Sequence, residues 1–80
     1  MEIITTDLSR RWNFSSKNEC FEYILKRSMN IKKCFHFIKR ETGHLFLKCP
    51  VVNDMICIMG SEEQVSWIYN QMVKRDLFRP

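Results

Sequence analysis

The sequence predicts a single α+β domain: a helix, a three-stranded antiparallel sheet and a second helix, with both helices on one face of the sheet. Three observations predict it. Two serine-led capping patterns, Ser16-Lys17-Asn18-Glu19 and Ser61-Glu62-Glu63-Gln64, each precede an apolar run of helical spacing. Between them lie three short runs rich in β-branched and aromatic residues, separated by Glu41-Thr42-Gly43 and by Pro50 to Asn53-Asp54. The chain has 80 residues, 45% of them hydrophobic and 28% charged, which is too apolar for a disordered chain and long enough for one core.

The first helix is expected over about residues 17–29. The Ser16 hydroxyl can accept from the Glu19 amide while the Glu19 carboxylate accepts from the Ser16 amide. Cys20, Phe21, Ile24, Leu25 and Ser28 then recur at helical spacing. Glu19 and Glu22 suit the start of the helix dipole, Lys26-Arg27 suit its last turn, and Asn30 is a suitable stop. Ile31 to Arg40 reads as a strand, with Phe35 and Phe37 on one side and Cys34, His36 and Ile38 on the other. Gly43 can take positive φ in the Glu41-Thr42-Gly43 turn, so this strand and Leu45-Phe46-Leu47 form a hairpin.

Met55 to Met59 is a third strand, apolar on both sides: Ile56 and Ile58 point one way, Met55, Cys57 and Met59 the other. Gly60 closes it, and a second helix follows over about 62–76. Val65, Ile68, Tyr69, Met72 and Val73 form its apolar stripe, and Lys74-Arg75 complement its C-terminal end. Residues 16–80 make the domain. Residues 1–15 admit two readings, a strand over Glu2 to Thr6 or a helical turn over Asp7 to Trp12. With both helices on one side, the other sheet face is uncovered and calls for either this segment or another chain.

Thirteen Lys and Arg against nine Asp and Glu leave a net charge of +4, a bias that suits an acidic partner. Ten of the thirteen bases stand in adjacent pairs: Arg10-Arg11, Lys26-Arg27, Lys32-Lys33, Lys39-Arg40 and Lys74-Arg75. The pairs at the helix ends have a structural reason to be there. The candidate contact residues for nucleic acid or an acidic partner are therefore Arg10, Arg11, Lys32, Lys33, Lys39, Arg40, His44 and Lys48. The hairpin tip is expected to bring Lys39, Arg40 and His44 together. Trp12, Phe14, Phe46, Trp67 and Phe78 exceed what so small a core holds, and exposed rings beside arginine stack on bases or anchor protein partners.

The sequence offers little to catalysis. So short a chain has little room for a deep substrate cavity, and it carries neither a Ser-His-Asp arrangement nor a glycine-rich phosphate loop. The enzyme alternative that remains is a metal-free ribonuclease using His36 or His44 with a lysine. Cys34, His36, Cys49 and Cys57 could in principle hold zinc, but without a Cys-x-x-Cys pair they read as buried hydrophobes. No cofactor or metal is expected. Met1 to Asp7 lacks the basic start and apolar stretch of a secretory signal, so reduced thiols and a cytoplasmic setting are expected. No apolar run approaches the roughly 20 residues of a membrane helix.

The order helix, three antiparallel strands, helix resembles the double-stranded-RNA-binding domain over residues 16–77. Gly43-His44 lies in the loop where that family carries a histidine against the minor groove, and Gly60-Ser61 leads into the last helix as in the family. The chain departs from the family at Glu62-Glu63, where the family has lysines that grip phosphates across the major groove. In composition, with many Lys, Asn, Ile and Met and no alanine, the chain is similar to small accessory proteins of T-even-type bacteriophages, which commonly bind and disable host enzymes or defence toxins. Together these imply a non-enzymatic inhibitor of a host nucleic-acid-processing enzyme or toxin that contacts or competes for RNA or DNA. The alternative is a pure protein–protein inhibitor or a homodimer.

Overall fold

Leu45, Leu47 and Cys49 alternate along one strand with His44, Phe46 and Lys48, and the first set is buried while the second is half-buried. A pleated strand sends successive side chains to opposite faces, so this strand alone divides the molecule into a covered side and an open one. The computed structural model describes residues 1–5, 10–31, 35–49 and 54–79. Their elements are β1 (Glu2–Thr5), β2 (Arg10–Asn13), α1 (Lys17–Ile31), β3 (Phe35–Glu41), β4 (His44–Cys49), β5 (Asp54–Met59), α2 (Glu62–Lys74) and β6 (Phe78–Arg79).

The strands form one six-stranded sheet in the order β2-β1-β5-β4-β3-β6. Five strands are antiparallel, and β6 pairs with β3 in parallel over two residues. The α+β class is as expected, but a three-stranded sheet is not what forms. The N-terminal residues supply two of the extra strands: β1 pairs with β5 on the side opposite β4, and β2 folds back on β1. Arg10 to Trp12 is thus strand, not helical turn, while residues 6–9 lie outside the described residues. Flanked on both sides by β1 and β4, β5 is an interior strand, which suits a run that is apolar on both faces.

Helix boundaries shift for local reasons. At α1, the Glu19 amide donates to the Ser16 hydroxyl (3.2 Å), as the capping pattern requires. The Glu19 carboxylate accepts from the Ser15 amide and hydroxyl instead of the Ser16 amide. The helix continues to Ile31, so Lys26 and Arg27 precede its last turn, which holds no basic residue. At α2 both halves of the capping box form between Ser61 and Gln64.

The helix α2 ends at Lys74. Asp76 then takes φ +55°, its amide donating to the Val73 carbonyl (3.1 Å) and that of Leu77 to the Met72 carbonyl (2.9 Å), a Schellman closure. The Leu77 carbonyl in turn accepts from the Phe35 amide (2.8 Å), which delivers Phe78 to the edge of β3.

One hydrophobic cluster joins both helices to one sheet face. Cys20, Phe21 and Ile24 of α1 and Val65, Ile68 and Met72 of α2 pack on Ile3, Phe35, Leu45, Leu47, Ile56 and Ile58. Aromatic pairs bind its margins: Trp12 and Phe14 against Tyr23, Phe21 edge-on to Trp67, and Phe37 with Tyr69 and Phe78. Of the five aromatics too many for the core, Trp12, Phe14, Trp67 and Phe78 are therefore accommodated at its rim. Phe46 faces the other way.

The turn between β3 and β4 is held from two sides. Gly43 has φ +76°, and its carbonyl accepts from the Gly60 amide (3.1 Å). A Cβ at position 43 would lie 2.8 Å from the Gly60 carbonyl oxygen, a backbone atom with little freedom to retreat. Gly43→Ala should therefore lower unfolding free energy by about 2 kcal/mol or more in urea titrations. Ile58→Ala, which empties a fully buried site in β5, should cost about 2–5 kcal/mol in the same assay.

Candidate nucleic-acid interface

The sheet register arranges the face away from the helices into three ranks. Across five strands run Arg11, Ile4, Cys57, Phe46 and Lys39. Beside them run Asn13, Glu2, Met59, His44 and Glu41, and a shorter rank holds Met55, Lys48 and His36. In the first rank apolar and aromatic side chains occupy the middle and charged ones the ends; in the second Glu2 stands inside Asn13, and in the third Lys48 stands between Met55 and His36.

A bulge decides which bases reach this face. Between Phe37 and Lys39 the β3–β4 register shifts by one residue, leaving Ile38 without an opposite number. Strict alternation from Phe35 would send Arg40 to the open side with His36, and Lys39 to the helices. The bulge inverts that parity. Lys39 now stands opposite Phe46 on the open face, and Arg40 stands opposite the buried Leu45.

The two bases consequently have different partners. Arg40 donates to the Glu62 carboxylate (2.7 Å) and to the Ser66 hydroxyl, and its guanidinium lies 5.1 Å from the centre of the Tyr69 ring. The second Glu62 oxygen accepts from the Gly43 amide (2.8 Å). That backbone bond, with the donors from Arg40 and Ser66, holds the Glu62 carboxyl below its ordinary value of 4.5. Glu62 thus joins the start of α2 to the hairpin turn. Its neighbour Glu63 pairs with Lys17 (3.9 Å), whose ammonium sits over Trp67.

Lys39 bonds Glu41 (3.0 Å) in an exposed pair and lies 4.9 Å from the Phe46 centroid. The His44 ring is parallel to Phe46 within 10°, centroids 6.1 Å apart. Its Nδ1 is 3.0 Å from the Thr42 carbonyl, an acceptor, so Nδ1 carries the proton in the neutral ring and Nε2 is left as an acceptor. Lys48 has no carboxylate partner among the described residues. Arg11 has a loose contact with Glu2 at 3.9 Å.

Of the eight expected contact residues, Arg11, Lys39, His44 and Lys48 share the open face. Arg10 is on the helix side of β2, beside Trp12 in parity and opposite Thr5. Arg40 is also on the helix side, so the expected tip cluster of Lys39, Arg40 and His44 is divided between two faces. Lys32 and Lys33 lie outside the described residues. Phe46, one of the aromatics in excess of the core, joins the site, as does His36, which was named only as a possible base or metal ligand. The signal was there for Phe46, in the alternation of residues 44–49.

Cys49 projects into the covered side and Cys57 onto the open face, so the proposed Cys₃His set does not assemble; Cys34 lies outside the described residues. Among the described residues no three His, Cys, Asp or Glu side chains converge as a metal site. Burial pushes the Cys20 thiol up to about 11. Burial, and then the Glu41 charge, also raise Cys57. Both are protonated, weakly nucleophilic thiols near neutral pH. His36 and His44 share the face but stand about 13 Å apart along the hairpin, too far to act on one reacting group.

No helix among the described residues is long and apolar enough to cross a membrane.

Because the Glu62 carboxyl is depressed in the folded state, its contribution is present above its unfolded value and is lost as pH falls through the folded one. Glu62→Gln should melt below the parent at pH 7, and the gap should narrow and then close as pH falls below the ordinary carboxylate range, as read in thermal melts against pH. Compared with protein-family models, curated proteins and solved structures, the chain matches none.

Proposed function

We propose that this chain is a small non-enzymatic binding protein that contacts nucleic acid through the open face of its sheet. The observation that carries the proposal is the division of the cations. On the helix side, Arg40 is engaged by Glu62, Ser66 and the Tyr69 ring and Arg75 by Gln71 and the Phe21 ring, while Lys17 has a loose pair with Glu63 and a place over Trp67. On the open face, Lys39 and Lys48 flank Phe46 and Arg11 stands three strands away on β2; Arg11 and Lys39 have exposed ion pairs, and Lys39 the Phe46 ring, that a phosphate can replace at little cost. Such a surface suits an inhibitor that covers nucleic acid, or bridges it to a processing enzyme of a host cell.

The second reading is a protein partner or a second copy of the chain. Ile4, Cys57 and Met59 favour it, since they give the face an apolar middle.

Salt separates the two. Three cations on a single strand give a log–log slope of roughly −2, so affinity for a labelled oligonucleotide should fall about 15-fold between about 50 and 200 mM salt in fluorescence anisotropy. Lys39→Glu with Lys48→Glu should abolish binding. Lys26→Glu with Lys74→Glu, the same change in net charge at exposed helix positions, should leave it nearly intact. A salt-independent dimer in sedimentation, with no oligonucleotide bound, would reject the proposal in favour of the second reading.

A further inference from the structure

We infer that the ligand of the open face is a single strand of RNA, held by stacking of its bases on Phe46 and His44; the inference rests on the nucleic-acid reading above. A duplex has already stacked its bases, and it offers a protein mainly phosphates and sugar hydroxyls. This face answers that poorly. In its longest rank the cations stand at the two ends, Arg11 on β2 and Lys39 on β3, with Ile4, Cys57 and Phe46 between them, and Lys48 lies two residues from Phe46 on β4. Duplex phosphates would gain nothing from that middle, whereas the unstacked bases of a single strand would cover it and leave their phosphates to the flanking lysines.

The stacking pair is set before any ligand arrives. His44 is oriented by the Thr42 carbonyl and lies parallel to Phe46, while Lys39 caps the Phe46 ring and is free to turn toward a phosphate once its exposed Glu41 pair opens. Two carboxylates remain on the face, Glu2 and Glu41. They can accept hydrogen bonds and not donate them, and the ribose 2′-hydroxyl is a donor that deoxyribose lacks. A second copy of the chain fits less well. The face offers about a dozen side chains where a stable interface takes roughly 20–30 a side. Two such faces stacked about a two-fold axis along β5 would also set Arg11 of one copy against Lys39 of the other.

The test titrates the full chain with four labelled probes of about twelve nucleotides: an RNA strand, the same sequence as DNA, the RNA duplex, and a strand with its bases removed. The RNA strand should bind best and the abasic strand should not bind. Phe46→Leu, an apolar replacement on the face away from the helices, should weaken RNA binding about 5- to 100-fold. Phe46→Trp should retain it, with indole fluorescence quenched on binding. Circular dichroism should show both variants folded.

A duplex bound as tightly as the strand, indifferent to Phe46→Leu but lost in the Lys39→Glu, Lys48→Glu variant, would overturn the stacking inference and leave the nucleic-acid reading standing. DNA bound as tightly as RNA would overturn the assignment to RNA. Failure of every probe to bind the parent protein would bring down both.

Discussion

Side chains leave a pleated strand alternately up and down, and two helices on one side of a six-stranded sheet can shelter only the half that points toward them. Leu45, Leu47, Ile56 and Ile58 take that shelter. Residues of opposite parity on β1, β4 and β5 are then left on the open face, where Ile4, His44, Phe46 and Lys48 are half-buried and Cys57 is covered by its neighbours. The N-terminal strands widen this exposed surface and do not roof it, because β1 hydrogen-bonds to the edge of β5 in the plane of the sheet. The open face is in this sense a by-product of how the core is closed.

Charge is sorted by the same geometry. One unpaired residue, Ile38, exchanges the destinations of two adjacent bases, sending Arg40 into a network with Glu62, Ser66 and Tyr69 and Lys39 onto the aromatic face. Net charge does not distinguish these two residues. Arg40 stabilises the attachment of the hairpin to α2, and its planar guanidinium suits a position that both bonds Glu62 and Ser66 and lies over the Tyr69 ring. Glu62, which by comparison with duplex-binding domains looked like a defect in a phosphate site, is the anchor of that attachment.

Much of the architecture was legible in the residues themselves. The Ser61 capping box, the opposite parities of Ile56 and Cys57, and the glycine turn at residue 43 all depend on neighbours in sequence, and all stand as read. What escaped depended on distant partners. A strand at the N-terminus was one of two readings and is decided only by the free side of β5, whereas Phe78–Arg79 is a strand only because the Leu77 carbonyl finds the Phe35 amide. The bulge was hidden because Phe-Ile-Lys-Arg carries no glycine or proline to mark it. With it went the assignment of Lys39 and Arg40, which is why half of the candidate site had to wait for the register.

The bulge has one further consequence, for what the molecule must avoid. Outer strands with unsatisfied amides invite the addition of foreign strands and the growth of fibrils. Here β6 covers the outermost strand at Phe35 and His36, and beyond that point Ile38 breaks the regular repeat of donors and acceptors that an incoming strand would need, with Lys39, Arg40 and Glu41 following directly. At the far margin, β2 is four residues long and carries two arginines. A sheet with one side left open by its helices thus has margins poorly suited to the addition of further strands.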